Sequence, residues 1–470
     1  MEIARKCVVV FLLSLLNFLV STERSVVGGL LGQVAHYYSI SDSTSGLLQT
    51  VYVVVYVVVA PIWGYLGDRY NRKLLCVVGC VIWAVLILAS SFVPAGIFWL
   101  FMILRAFSGL GDAVIMTLAP SLLRDMFKGK GRGYSLMMFY YSLPVGWSVS
   151  TIIASQIIQA QVAWQWGLRI IPPVAAVAII ALLFVLEEPP RSDCQKQDSA
   201  HTSLWEDVKA NVRIKSFLFS LIVTASYNIV FGAQGWWNPS MIQLAMKSTN
   251  SSVAIFHGES YALIQSIIGI ENTSGGIIGG TLSVWLSTLW AGGVLCIGPS
   301  MRAIPLVGGI GILLASPTTL FVQHFYLIDI NWHIVVGFYG CIMTYGTNAL
   351  STMIVMKVIP SSRMGVALAI FNIFGSLLGD APSPYIVGAI ADHFRDPDAV
   401  DQAGDHLNAL FTAHYFSNAF IVVCCVAFFA CAYFIVEDEI ALVVEENEED
   451  MEYDNEKRWS GSMSAIIEAL

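Results

Sequence analysis

The chain is 470 residues long, 56% hydrophobic and only 12% charged, with a mean hydropathy of +0.70. That composition excludes a soluble globular domain, because apolar runs of about 20 residues are sized to cross a bilayer. The formal net charge of −9 gives no reason to expect a nucleic-acid partner, since residues 437 to 456 alone hold eleven Asp or Glu.

Hydropathy with turn and charge breaks predicts twelve spans, at roughly 8–31, 44–66, 74–94, 98–123, 133–158, 167–187, 214–244, 259–290, 303–323, 333–358, 364–390 and 412–436. Backbone groups inside lipid must find partners within the segment, so spans this long are expected as helices. The alternating ten-residue pattern of a membrane barrel is missing. The start, "MEIARKCVVVFLLSLLNFLVS", has the basic end and apolar core of a signal peptide. The apolar run resumes at "VVGGLL" after Glu23 and Arg24, however, and cleavage would leave eleven spans, so it is taken as span one.

Between spans two and three lies "GYLGDRYNRK", residues 64–73, with Asp68, Arg69, Arg72 and Lys73 crowded into a short turn. Counted from a cytoplasmic N-terminus, the loops facing inside (68–73, 124–132, 188–215, 291–302 and 357–363) hold fifteen of the 24 basic residues. The loops facing outside hold two, Lys247 and Arg395. The positive-inside rule sets both termini in the cytoplasm and makes 64–73 a cytoplasmic turn.

The longest interior loop, "EEPPRSDCQKQDSAHTSLWEDVKANVRIK", separates six spans from six. Pro, Ser and mixed charge mark it as a linker. The expected organisation is an N-terminal six-helix bundle (1–190), a cytoplasmic linker (191–213), a C-terminal six-helix bundle (214–436) and an acidic, disordered cytoplasmic tail (437–470). Span five carries "SLPVGWS", with Pro144 and Gly146. Span eleven, its counterpart, carries "GDAPSPYIVG", with Pro382, Pro384 and Gly388. Proline removes a donor and bends a helix. Interrupted helices in matching positions either mark a midplane site between the halves or only shape the bundle. No cysteine falls in an exterior loop, so a disulfide scaffold is not expected, and no Cys/His spacing suggests a metal. Asn250 is an N-x-S glycosylation candidate in an exterior loop, whereas Asn272 falls inside a span.

Six plus six around one long loop is the plan of the major facilitator superfamily, an all-α membrane fold. The turn resembles that family's signature G-x-x-x-D-R-x-x-R-[KR], matched by Gly64, Asp68, Arg69, Arg72 and Lys73. Asn71 stands where the family often has Gly, and Asn tolerates the left-handed conformation of a tight turn. The resemblance implies a cytoplasmic clasp that holds the halves together when the outside is open. The other interpretation is a solvated positive-inside turn, which needs the basic residues but not Gly64 or Asp68.

The stretches "SGLLQTVYVVVYVVVAPIWGYLGDRYNRK", "LRAFSGLGDAVIMTLAPSLLRDMF", "FYYSLPVG", "WGLRIIP" and "SLLGDAPSPYIVGAIAD" resemble, in order, segments of the spinster family of lipid-related transporters. The resemblance implies a proton-linked exporter of lysophospholipids, sphingosine phosphates or similar amphiphiles. Its partners would be the amphiphile, protons and membrane lipids, with no cofactor. It would lie in the late endosomal/lysosomal or the plasma membrane. The chain departs from the family at "NFLVSTER", where Asn17 stands further from an acid–Arg pair that here is Glu23 and Arg24. It also has the shorter Asp112 for a Glu, and a second-half turn, "STLWAGGVLCIGPSMR", nearly free of charge.

An ionisable group at membrane depth costs at least about 2.5–3.5 kcal/mol, so each is a functional candidate. Here these are Glu23, Arg24, Arg105, Asp112, Arg169, Glu271 and Asp380. Arg105 and Asp112 are seven apart, on one helix face and about 10 Å apart along the axis. They are expected to share a cavity, and a partner on span one. A structural Glu23–Arg105 ion pair fits the same positions. With Arg105 engaged by Glu23, Asp112 is the expected proton carrier. Arg169, near the outer end of span six, is expected to snorkel. Asp380, just before Pro382, either caps a broken helix or joins the substrate and proton pathway. Glu271 sits in "GIENTSGGIIGG", whose glycines suit close helix packing. "WWNPSM" at 236–241 and Trp147 either line an amphiphile cavity or pack. The competing functions are a major facilitator for a small polar solute and a non-transporting membrane receptor or scaffold. No nucleophile–base set or phosphate loop points to an enzyme.

Overall fold

The structure is a computed structural model that describes residues 2–127, 130–188, 204–248, 255–293, 300–360, 363–396 and 398–469. Residues 191–203 of the expected linker and Asn250 lie outside these. The described residues are almost wholly helical, with no strand among them. The first six long helices are α1 (Glu2–Gly29), α2 (Asp42–Arg69), α3 (Arg72–Ser90), α4 (Phe98–Met126), α5 (Lys130–Gln159) and α6 (Ile171–Val185). Then follow α7 (Lys215–Ser248), α8 (Tyr261–Ala291), α9 (Ala303–Phe321) and α10, in two pieces (Ile330–Thr344 and Gly346–Val358). α11 (Met364–Gly375, a π turn Ser376–Asp380, and Pro382–Phe394) and α12 (Gln402–Ala469) complete the chain. Short helices at Leu31–Tyr38, Trp166–Arg169 and Leu204–Arg213 connect them.

Ten helices among the described residues are long and apolar enough to cross a membrane. The two further spans have local reasons for falling short. α8 is long, but Glu271, Asn272, Thr273 and Ser274 with nearby glycines dilute its hydropathy. α10 breaks at Tyr345, before Gly346, into pieces of 15 and 13 residues. Where a disordered tail is expected from 437, the backbone of α12 continues as helix to Ala469. That segment contains no proline to stop it.

Side-chain caps start several helices where the sequence supplies them. Ser41 accepts from the Thr44 N–H (3.3 Å) and Ser260 from the Leu263 N–H (3.3 Å). Asn71 is not left-handed, as its place in a tight turn suggests. It is extended (φ −68°, ψ 111°) and caps α3 by accepting from the Leu74 N–H at 2.9 Å. The two proline helices also part company. α5 runs unbroken through Pro144, whereas α11 is interrupted by its π turn just ahead of Pro382. α5 is supported from its neighbours: Thr273 Oγ1 donates to the Pro144 carbonyl (3.1 Å) and Thr22 Oγ1 to the Gly146 carbonyl (3.2 Å). A Cβ at Gly146 would run into the Phe18 carbonyl and Ser21, so glycine is what lets α1 lie so close.

With alternating long helices, both chain termini and the 64–73 turn share one end of the bundle, here the terminal end. The loops after α1, α3, α5, α7, α9 and α11 form the far end. Within the halves, α1 packs on α5 and α6, α2 and α3 on α4, α7 and α9 on α12, and α8 on α9 and α10. Between the halves, α2 packs on α11, α5 on α8 and α1 on α7. One apolar core runs across the interface, joining Trp83, Phe101 and Phe139 to Trp236, Trp237, Met241, Val387 and Leu410. Its second-half members lie toward the far end. Toward the terminal end the second half has a separate core, built on Phe217, Ile354, Phe371 and Phe428.

Candidate functional site

Glu23 and Arg24 are consecutive, and about 100° of helix rotation per residue aims them at different neighbours. Glu23 turns to α4 and ion-pairs with Arg105, each side chain 1% exposed. Arg105 Nη2 also donates to the Arg24 carbonyl at 2.7 Å. Arg24 turns toward α2 and the second half. Its guanidinium pairs with Asp380 on α11 and reaches Asp112 on α4 at 3.5 Å. Gln49 on α2 completes this contact: with its amide oxygen toward Arg24, it accepts from Nε and Nη2 at 3.1 Å. Tyr52, fully buried, lies between the two cations, 5.5 Å from Arg24 Cζ and 4.8 Å from Arg105 Cζ, and donates its hydroxyl to Asp112 at 3.4 Å. Such desolvated cation–π contacts are worth about 2 kcal/mol.

The structure therefore gathers Glu23, Arg24, Arg105, Asp112 and Asp380 into one cluster, with Arg24 bridging the halves. Asp380 closes the π turn, a distortion frequent at functional sites. Gly232 on α7 makes room for it, since a Cβ there would lie 2.7 Å from Asp380 Oδ1. Sequence reasoning pairs Arg105 with Glu23 but gives Arg24 no partner, and it overlooks Gln49 and Tyr52. The signal was present: Gln49, Tyr52 and Tyr56, spaced three and four apart, put a polar stripe on an otherwise apolar helix.

From this cluster to the far end the halves are tied mainly through the backbone of α2 and α11. Gly46 lies against the Pro384 carbonyl and Gly388 against the Asp42 carbonyl, each too close to admit a Cβ. Thr50 Oγ1 donates to the Ala381 carbonyl at 2.6 Å. The Asp392 carboxylate accepts from the N–H groups of Asp42 (3.0 Å) and Ser43 (2.8 Å), and Asp42 Oδ2 meets His406 Nε2 of α12 at 2.6 Å. Deeper in, Ser148 on α5 bonds the Gly269 carbonyl (2.5 Å) and Thr273 on α8.

The remaining sequence candidates lie apart. Arg72 is buried and joins α3 to α4 and to the chain after α6, through Asp125 (2.6 Å), Glu188 (2.9 Å) and Ser121 (3.3 Å). The Lys73 N–H donates to Glu188 at 2.8 Å, and Arg69 lies 4.2 Å from the Tyr65 ring centroid. Gly64 sits at ordinary distance from Thr117. Asp68 is in the last turn of α2, and its side chain lies outside the described part. Arg169 is held at the far end by the Ser91 carbonyl (2.9 Å) and the Phe92 ring (4.6 Å). Trp236 and Trp237 are buried in the shared core, while Trp147 packs on Phe231 across the halves at 5.8 Å.

Residues 13–384 match the family model described as Major Facilitator Superfamily. Protein spinster homolog 1 of Xenopus laevis is 33% identical over 394 residues, 83% of this chain and 74% of that protein. The human protein of the same name is 32% identical over 396 residues, with the same coverage of both chains. The sphingosine-1-phosphate transporter SPNS2 of Mus musculus is 31% identical over 395 residues, 82% of this chain and 69% of its own. Among solved structures, a bacterial homologue of the human lysosomal transporter Spinster, crystallised inward-facing and unoccupied, superposes with a TM-score of 0.74 at 14% identity, covering 92% of this chain and 98% of the other. With a twelve-helix plan split between two halves, and these relatives matched through most of its length, the chain belongs to the spinster family of the Major Facilitator Superfamily and is a multi-pass membrane transporter.

Proposed function

We propose that this transporter moves lysophospholipid- or sphingosine-phosphate-like amphiphiles by alternating access of its two halves, linked to protons. The observation that carries this is the Arg24 cluster. Three carboxylates and two guanidiniums meet where the halves join, so with all five ionised the cluster is one positive charge short. A proton on Asp112 supplies that charge. An anionic headgroup in the place of Asp380 would release the bridge. The name of the mouse relative, a sphingosine-1-phosphate transporter, supports the choice of amphiphile.

Proteoliposomes of the purified chain test this with labelled lysophosphatidylcholine, lysophosphatidylethanolamine and sphingosine phosphate, beside a pentose and a nucleoside, with and without a pH gradient. At least one amphiphile is expected to move, faster with the gradient. Flux of a polar solute alone would replace the substrate class, and no flux at all would favour a receptor.

With both termini in the cytoplasm, the far end is the exterior, and the shared core packs the halves together on that side. The 64–73 turn then acts as the clasp of the opposite state. Asp68→Asn is expected to raise the inward-facing population severalfold without loss of membrane insertion. Labelling of single cysteines on the two faces measures it, and unchanged labelling would leave the turn as a topological marker.

A further inference from the structure

Within the second half, apart from the Arg24 cluster, α7, α8, α9, α10 and Ile421 of α12 line a cavity of about 80 Å³. Gln234, Asn238, Glu271, Asn272, Thr318 and His333 give it a polar lining. Glu271 projects into it from α8, ten residues and about 15 Å below the far-end start of that helix. The residue is 7% exposed, and its Oε2 has no hydrogen-bond partner among the described residues. Its Oε1 faces Gly337 of α10, where a Cβ would collide with it. The backbone of α10 has thus been brought against this carboxyl group.

Among the described residues, no fixed cation is placed to neutralise Glu271. α8 and α9 contain no Lys or Arg, and those of α7, α10 and α5 stand only near helix ends: Lys215 and Lys247, Lys357, and Lys130 and Arg132. The titratable groups around the cavity are Tyr227 of α7, His333 and Cys341 of α10, and then Tyr326 and Tyr345 close by. α9 offers Thr318, and α5 offers Ser148 and Thr151 at its contact with α8. His333 is itself committed: its Nδ1 lies 3.1 Å from the Val322 carbonyl, which fixes that nitrogen as the donor, and its ring lies tilted against Tyr326, 4.0 Å between centroids. An ionised carboxylate buried without a cation costs several kcal/mol, and such a group takes up a proton instead.

We propose that Glu271 is a proton-binding site of the second half, occupied in this conformation as the neutral acid, with the polar cavity and His333 as its outlet toward the far end. The carboxylate gains the proton on one oxygen, and ionisation returns it to cavity water or to His333 Nε2. Its use in driving transport rests on the transport reading above; its existence does not.

Infrared difference spectroscopy of the full chain in lipid, stepped through the neutral pH range in potassium buffer, reads it directly. A protonated-carboxyl band that fades as pH rises is expected in the parent and in Asp112→Asn, and is expected to be lost in Glu271→Gln. Gly337→Ala, which crowds Oε1 but keeps the acid, should shift the band, and this holds the test open if Glu271→Gln misfolds. A band unchanged in Glu271→Gln, or unmoved in Gly337→Ala, would overturn the assignment. So would its loss on adding sodium at fixed pH, which would make this a metal-cation site. No transported substrate is needed, so this result stands apart from that of the flux assay.

Discussion

Arg24→Gln is expected to abolish most transport, lowering initial flux in proteoliposomes roughly tenfold or more, because it strips the guanidinium from two acids at once, the buried Asp112 and the partly buried Asp380. Asp112 would keep only Tyr52 of its partners described here, and Asp380 would lose its tie to the first half. Breaking a buried pair from one side costs about 3–5 kcal/mol, where about 1.4 kcal/mol is already a factor of ten. Thermal melting in detergent should fall with the flux. Adding Asp380→Asn removes one orphaned charge, so melting should recover in part while flux stays low. A single Arg24→Gln variant that melts and transports like the parent would show that the bridge is incidental.

The second large effect is conformational. Gly46→Leu places a branched side chain where α2 touches the backbone of Pro384. Neither partner has a flexible end to move aside, so the helices must part at the far end. Overpacking of this kind costs about 1–3 kcal/mol. Applied to one of two states, that shifts their ratio about 5- to 150-fold. A cysteine at Thr50, now bonded to the Ala381 carbonyl, should then react severalfold faster with an impermeant reagent added from the far side. Gly96→Leu, exposed in the turn before α4 with open space where a Cβ would stand, is the control and should leave that rate unchanged. Equal rates in all three proteins would mean that this seam does not govern closure.

Much of this was legible in the sequence for a simple reason: charge is rare in it. Helices α1 to α7 stand out as apolar runs between polar breaks, and Glu23, Arg24, Arg105, Asp112 and Asp380 as exceptions within them. Which exception meets which was not legible. Pairing depends on the rotation of α1, which sends Glu23 to α4 and Arg24 toward α11, and a single sequence does not fix the relative rotation of packed helices. Gln49 and Tyr52 were hidden in "LLQTVYVVVY" because hydropathy averages a stripe away. The break at Tyr345 has no proline to announce it; Gly346 there packs against Ser283 of α8, so the cause lies in tertiary packing.

The Arg24–Asp380 pair also has a kinetic meaning. The other ties described here toward the far end are largely backbone contacts and hydrogen bonds, which separate gradually, whereas this pair is a partly buried ion pair whose separation parts two unlike charges at once. An empty carrier must cross that barrier unaided. A carrier holding an anionic headgroup would exchange one counter-ion of Arg24 for another, so that the cation would not fall back on Asp112 and Gln49 alone, and the cargo would act as catalyst for its own passage. On the proposed substrate, trading one molecule for another across the membrane is then intrinsically faster than returning empty, and the same ion pair that closes the resting protein keeps it from cycling idly.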